Sequence, residues 1–403
     1  MSLVVQKFGG TSVGSLERIQ NVARRVKKTR EAGHSVIVVV SAMSGETDRL
    51  IGLGKSIAES RRPRARELDV LVASGEQVSA ALLAIALNDM GVPARSMLGF
   101  QAKIRTDEAH TKARIKSIDG EALRKAAEDE VIVVAGFQGA DERGNITTLG
   151  RGGSDTSAVA VAAAVKADVC EIYTDVDGVY TTDPNVVPTA RKIDRISYEE
   201  MLELASLGAK VLQIRSVGLG MKYGIPIHVR SSFSDAEGTV VTREDELLES
   251  VVVAGVAADK KTVKVTMRHL KDRPGVVAKV FGALAEANVV VDMIIQNVSL
   301  EGHTDLTFTV SSEDADRARD IANALAAELE VADVILDDDV VKVSIVGVGM
   351  RNHAGIAARM FQLLADEGIN IEAISTSEIK TSCLIRAKYA ELAVRVLHEG
   401  FIG

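Results

Sequence analysis

Over residues 1–240 short apolar runs alternate with amphipathic stretches. Residues 3–7, 36–41, 131–136, 170–174 and 227–230 are β-branched and bounded by Gly or Ser, which predicts buried strands. Between them, 16–31 and 76–89 repeat their apolar positions at helical spacing. Strands alternating with helices predict an α/β fold, a mostly parallel sheet sandwiched by helices. In such sheets ligands sit at the carboxyl ends of the strands, so the loops there are where chemistry is expected.

The charged stretch at 240–250 reads as a boundary, and an internal repeat follows it. Val263-Lys264-Val265-Thr266 matches Val341-Lys342-Val343-Ser344. Gly275 and Gly355, Phe281 and Phe361, and Asp292 and Glu372 form pairs 80 positions apart (355 − 275 = 80). In the first copy Val276, Val280, Ala283, Leu284 and Ala287 share one helix face; in the second, Ile356, Met360, Leu363 and Leu364 do. Two βαββαβ units are expected. The chain ends after the last helix of the second copy, so that copy lacks its final strand. The run at 251–257 is expected to supply it, which inserts the first unit inside the second; the alternative is a linker strand on the large domain. The expected domains are 1–245, then 263–338 as the inserted unit, with 250–262 and 339–403 forming the other.

Composition narrows the function. The 403 residues are 46% hydrophobic and 26% charged, enough for a real core. A net charge of −8 argues against non-specific nucleic-acid binding, which needs clustered Lys and Arg. No Trp and 3% aromatics argue against base-stacking platforms. Cys170 and Cys383 form no CxxC pair, so neither a zinc site nor a disulfide framework is expected, and a cytoplasmic location fits. Residues 1–10 do not read as a signal peptide, and the apolar stretches at 80–87 and 157–165 fall short of the ~20 residues of a membrane span. The seven histidines sit in no HExxH or triad-like context, which counts against hydrolases and zinc enzymes.

Five segments carry chemistry. Lys7-Phe8-Gly9-Gly10-Thr11-Ser12 is a strand followed by two glycines and a helix start: a phosphate cradle with a lysine, or a tight turn. Ser41 to Thr47 offers hydroxyls after a strand, or an N-cap cluster. Ser74-Gly75-Glu76 precedes the apolar helix; Glu76 either pairs with a substrate ammonium or complements the helix dipole. Gly150-Arg151-Gly152-Gly153-Ser154-Asp155 combines an anion cradle with an arginine able to grip a carboxylate. Asp155 beside an anion site requires a nearby cation, Lys7 or magnesium. Thr174 to Tyr180 is an Asp-rich turn at a strand end: an Asx turn or a nucleotide contact.

These segments, in this order, resemble the amino-acid kinase superfamily, and closely the aspartate kinases. The match runs through KFGGTSV at 7–13, VVSAMSGETD at 39–48, SGEQ at 74–77, TLGRGGSDTSA at 148–158, YTDVDGVYTTDP at 173–184 and SLGAKVL at 206–212. The repeat is similar to two ACT-type regulatory domains, through DRPG at 272–275, VDMIIQN at 291–297 and INIEAISTSEI at 369–379. The resemblance implies transfer of the γ-phosphoryl group of ATP, with Mg2+, to the β-carboxylate of L-aspartate, opening lysine, threonine and methionine synthesis. It implies that Lys7 and Asp155 are catalytic, and that Lys7, Phe8, Gly9, Gly10, Thr174, Asp175, Tyr180, Asn185 and Lys210 contact ATP. Ser41, Thr47, Glu76, Arg151, Gly152, Gly153 and Ser154 are implied for aspartate. Asp272, Gly275, Gln296 and Asn297 with Asn370 and Ile371, and Asp292 with Ser377 and Glu378, are implied to bind the effectors lysine and threonine. No tightly held protein metal is implied.

Two positions depart from that pattern. Asn185 stands where many relatives carry Arg, and Gly218 where relatives often carry Glu. An ACT-mediated homodimer or higher oligomer is expected, with room for a separately translated C-terminal regulatory chain; nucleic acid and membrane are not expected partners. The competing readings are a kinase for acetylglutamate or glutamate, and a non-catalytic amino-acid sensor. The latter would have lost Lys7 or Asp155, and both are present.

Overall fold

The structure, a computed structural model, describes residues 2–58, 63–207, 211–244, 251–297 and 302–403. The chain divides into two units, one drawn from 1–180, 192–206 and 210–249, the other from 181–191, 207–209 and 250–403.

The first unit is built on a sheet that, among the described residues, has eight strands in the order Arg195–Ser197, Thr239–Thr242, Ile227–Ser231, Val169–Thr174, Leu3–Phe8, Ser35–Val40, Val131–Ala135, Ala94–Met97. Every neighbouring pair is parallel except Ile227–Ser231 with Thr239–Thr242. Leu3–Phe8, Ser35–Val40 and Val131–Ala135 are buried at every position, as covering on both faces requires. Helices Leu16–Glu31 and Ala65–Asp89 pack one face through a core that includes Ile19, Val22, Leu83, Leu87, Phe8 and Tyr173. Helix Gly153–Val165, buried along almost its whole length, lies against the same central strands. A short hairpin, Gln138–Ala140 with Ile146–Thr148, delivers the chain to the start of that helix.

One helix differs from expectation. The pattern predicts a helix over 76–89, whereas the helix runs from Ala65 to Asp89 and carries Ser74, Gly75 and Glu76 in its interior. Gly75 is no helix start: a Cβ there would lie 2.8 Å from the Ala42 side chain, so the residue marks close packing of helix on loop. At 25 residues this helix has the length and hydropathy of a membrane span, but it holds the buried carboxylates of Asp69 and Glu76, and half of its apolar window is buried inside the unit. It is a core helix.

Among the described residues the second unit holds two four-stranded antiparallel sheets. In one, Thr262–Lys271 lies between His303–Ser311 and Asp333–Asp337. In the other, Val340–Val346 lies between Lys380–Arg386 and Gly255–Asp259. Gly255–Asp259 thus occupies the place that Asp333–Asp337 holds in the first sheet. The strand falls slightly later than the apolar run at 251–257, though Val252 and Val253 join the same core. The segment Thr181–Arg191 also packs here. Val187 enters the core, Thr181 Oγ1 is 2.9 Å from His398 Nε2, and the Val256 N–H donates to the Thr181 carbonyl.

Candidate active site

Leu3–Phe8 ends at a turn that only small residues can make. The Gly9 N–H donates to the Tyr173 carbonyl of the next strand, and a Cβ on Gly10 would stand 3.0 Å from the Ala42 carbonyl oxygen. Phe8 anchors the strand beneath by stacking on Tyr173, ring centroids 4.7 Å apart. Lys7, 8% exposed, projects at this turn, and its Nζ lies 2.5 Å from Asp155 Oδ1. The pair is an ion pair without an aligned hydrogen bond, so Asp155 Oδ1 keeps unused acceptor capacity. Lys7 Nζ lies 3.4 Å from where a Gly9 Cβ would be, close against the bare backbone of the turn. The result is a buried cation at a strand end beside exposed peptide groups, an arrangement suited to anionic oxygens.

The second glycine loop reaches Asp155 from the opposite direction. Gly150 and Gly152 have φ of 78° and 68°, in the left-handed region. A Cβ on Gly152 would overlap Gln213, and one on Gly153 would stand 2.6 Å from the Phe137 ring. The backbone then enters helix Gly153–Val165, with Ser154 and Asp155 buried in its first turn. Arg151 at the crest is exposed and has no ion-pair partner among the described residues.

Glu76 is 3% exposed, and its Oε1 accepts the Ala42 N–H at 3.1 Å. Its other oxygen is buried with no partner. Burial raises its carboxyl from 4.5 to about 7, partly offset by hydrogen bonds. Among the described residues no Lys or Arg pairs with it. A buried carboxylate lacking a cation is a receptor for one, and a substrate ammonium has that charge. Ala42 lies between Ser41 and Thr47, so the loop after Ser35–Val40 serves both Glu76 and the Gly10 turn. Ser41 is half-buried with its N–H on the Phe8 carbonyl; Thr47 sits in the first turn of helix Glu46–Ile57.

At the end of Val169–Thr174, the Thr174 hydroxyl donates to Asp175 and the Tyr180 hydroxyl to Asp177. Burial and Asp177 both push the Tyr180 phenol up. Asn185 belongs to the Thr181–Arg191 segment, where its N–H and side-chain amide both donate to Asp183 Oδ1. Lys210 lies outside the described residues. Gly218 adjoins open space, whereas a Cβ on Gly220 would stand 2.8 Å from Ile227. Close helix–strand packing therefore explains Gly220 and not Gly218. Among the described residues no group of three or more His, Cys, Asp or Glu could hold a metal.

In the second unit Gly275 has φ 95° at the entry to helix Val276–Glu286, and the Asp272 N–H donates to the Gly302 carbonyl. Gln296 ends the strand Val291–Gln296, and the Asn297 carbonyl accepts from the Thr304 hydroxyl. Asn370 is exposed, Ile371 packs on the core, the Ser377 N–H donates to the Lys380 carbonyl, and Glu378 pairs with Arg351 at 3.4 Å. Asp292, though exposed, pairs with Lys342 of the other repeat, as Glu372 pairs with Lys264. The two lysines occupy equivalent places in the repeated Val-Lys-Val motif.

Known proteins show the same organisation. The sequence profile of the amino acid kinase family matches residues 2–231, and ACT domain profiles match 265–330 and 343–401. An aspartate kinase of Pseudomonas fluorescens is 57% identical over 403 residues, 100% of this chain and 98% of that protein. The structure of E. coli aspartokinase III in complex with aspartate and ADP, in its R-state, aligns with a TM-score of 0.84 at 27% identity over 100% of both chains. The same enzyme in complex with lysine and aspartate, in its T-state, aligns with a TM-score of 0.78 at 28% identity, again over 100% of both. Likeness of this depth over the full length leaves one assignment: the chain belongs to the amino acid kinase family and is one of its aspartate kinases, a mostly parallel α/β sheet followed by two ACT domains.

Proposed function

We propose that Lys7 is the centre of phosphoryl transfer from ATP to the β-carboxylate of L-aspartate. The observation that carries this is its buried ammonium, set at a strand end between Asp155 and the Gly9–Gly10 turn. A carboxylate oxygen attacks the γ-phosphorus, the bond to the bridging oxygen breaks, and ADP leaves with the electron pair. No proton has to move, because the nucleophile is already an anion. The barrier lies in bringing anions together, and positive charge with positioning lowers it. The Gly9–Gly10 turn lies against the phosphates, Gly10 offering its backbone N–H while that of Gly9 stays on the Tyr173 carbonyl, and Thr174, Asp175, Tyr180 and Lys210 complete the nucleotide site. Ser41, Thr47 and Ser154 hold the β-carboxylate, Arg151 with Gly152 and Gly153 the α-carboxylate, and Glu76 the ammonium.

The residues fit a magnesium ion that arrives with the nucleotide: Asp155 would offer its carboxylate, whose Oδ1 is held by Lys7 alone, and phosphates would supply the rest. When bound, the ion neutralises phosphate charge. The domain limits are taken as 1–245, 263–338, and 250–262 with 339–403, with Thr181–Arg191 of the first stretch packing in the second unit. We assign the enzyme to the cytoplasmic opening step of lysine, threonine and methionine synthesis, regulated by lysine, threonine or both through the ACT units of a homo-oligomer. The aspartokinase III structure containing lysine supports the regulatory reading. The test is formation of a hydroxylamine-trappable acyl phosphate from ATP, magnesium and aspartate, with millimolar lysine and threonine titrated singly and together. Absence of the acyl phosphate overturns the transfer reading, and activity unmoved by either amino acid overturns the regulatory one.

A further inference from the structure

We propose that Asp69 is a positioning residue that sets the conformation of the Gly150–Ser154 loop, and through it the affinity for aspartate. The inference rests on the reading that this loop holds the amino-acid substrate. Asp69, two turns before Glu76 on the same face of the core helix, is 0% exposed. Its carboxylate accepts the Thr111 N–H at 3.1 Å on both oxygens, the Thr148 hydroxyl at 2.5 Å, and contacts His110 Nδ1 at 2.8 Å. Three donors on one acceptor-only group make a clamp that an amide, which must present a donor of its own, does not reproduce.

What the clamp holds is unusual. Thr111 has φ +67°, a left-handed conformation that β-branched residues avoid and that persists only where surroundings enforce it. Its carbonyl oxygen stands 2.9 Å from where a Gly150 Cβ would be, so the strained residue backs directly onto the substrate loop. Thr148, the second residue gripped by Asp69, lies two positions before that loop. The same two segments are tied again by the Ala113 N–H on the Thr148 carbonyl and by Arg215, which donates to the carbonyls of Leu149 and Ala113 at 2.6 and 3.1 Å. When the clamp is released, Thr111 relaxes toward an ordinary conformation and its carbonyl moves relative to Gly150. Aspartate affinity falls, while the nucleotide loops at 7–12 and 174–180 keep their own anchors.

The test uses the full chain. Asp69→Asn raises KM for aspartate about 10-fold or more, with KM for ATP changed less than about 2-fold. Adding Thr111→Gly, which accepts a positive φ without strain, recovers most of the shift. A purely structural Asp69 would instead lower active fraction and melting temperature at unchanged KM, and glycine at 111 would rescue nothing; either result overturns the proposal. If Asp69→Asn does not fold, Thr148→Val deletes one donor and moves KM for aspartate in the same direction, and an unchanged KM is again fatal. Arg151→Met separates the two layers. If it raises KM for aspartate and Asp69→Asn does not, the positioning role falls and the site stands; if neither does, both fall.

Discussion

With Glu76 assigned, as proposed, to the substrate ammonium, aspartate binding is expected to depend on a single proton near neutrality. Burial lifts its carboxyl from 4.5 to about 7, so below that pH the unliganded enzyme holds it protonated and neutral. The substrate ammonium needs the anion. For one group with a pKa of about 7, KM for aspartate is expected to be about 10-fold higher at pH 6 than at pH 8, with nearly all of the change below pH 7.5. The assay is the acyl-phosphate rate at saturating ATP and magnesium from pH 6 to 8.5, with KM for ATP followed alongside to remove titration of the nucleotide. Glu76→Gln should raise KM by about 10- to 100-fold and flatten its pH profile. Stability should move the other way. A carboxyl whose folded pKa exceeds its unfolded one contributes stability below 4.5 that is lost as pH rises through about 7, a cost of about 3 kcal/mol for this rise. Glu76→Gln should therefore be more stable than the parent at pH 8 by a figure of that order, and the advantage should vanish near pH 4.5. A parent profile already flat from pH 6 to 8, or a glutamine variant that keeps the slope, would refute the reasoning.

Three further outcomes are expected. Lys7→Met lowers kcat by about 100- to 1,000-fold; because it strands Asp155 with its side chain only 11% exposed, the fold of the single variant is verified by melting and circular dichroism, and Asp155→Asn alone is assayed beside it. Gly218→Ala, which meets open space inside helix Ile214–Tyr223, stabilises by about 1 kcal/mol in thermal unfolding, while Gly220→Ala destabilises because its methyl would meet Ile227 and Tyr198; equal effects of the two would contradict the packing account. Asp292→Ala leaves the buried Lys342 without its half-exposed carboxylate partner and lowers the stability of the ACT region by about 1 kcal/mol in denaturant unfolding, and Lys342→Met in the same background restores most of it.

Strand ends and the loops after them were legible because a buried parallel strand is apolar throughout, and the polar or glycine residues that break it are conspicuous. That logic located Lys7, Ser41 and Thr174; the glycines, arginine and helix entry located the Gly150–Ser154 loop, and the 80-residue repeat located two similar units and the short one's missing strand. Local pattern failed where packing overrules it. Gly75 looks like a helix boundary, yet it is an interior helical residue made necessary by Ala42. Asp69, His110, Thr111 and Thr148 carry no periodic signal, because a carboxylate at 69 meets donors 41 to 79 positions away only after the helix and hairpin have docked. The same holds for the exchanged pairs Lys264–Glu372 and Lys342–Asp292. The sequence by itself determined which groups the chain carries and at which strand ends they emerge, since hydrophobic periodicity is a local property. Which buried charge meets which partner, and hence which pKa moves and which backbone is held under strain, depends on distances across the interior, and only the tertiary structure decided those.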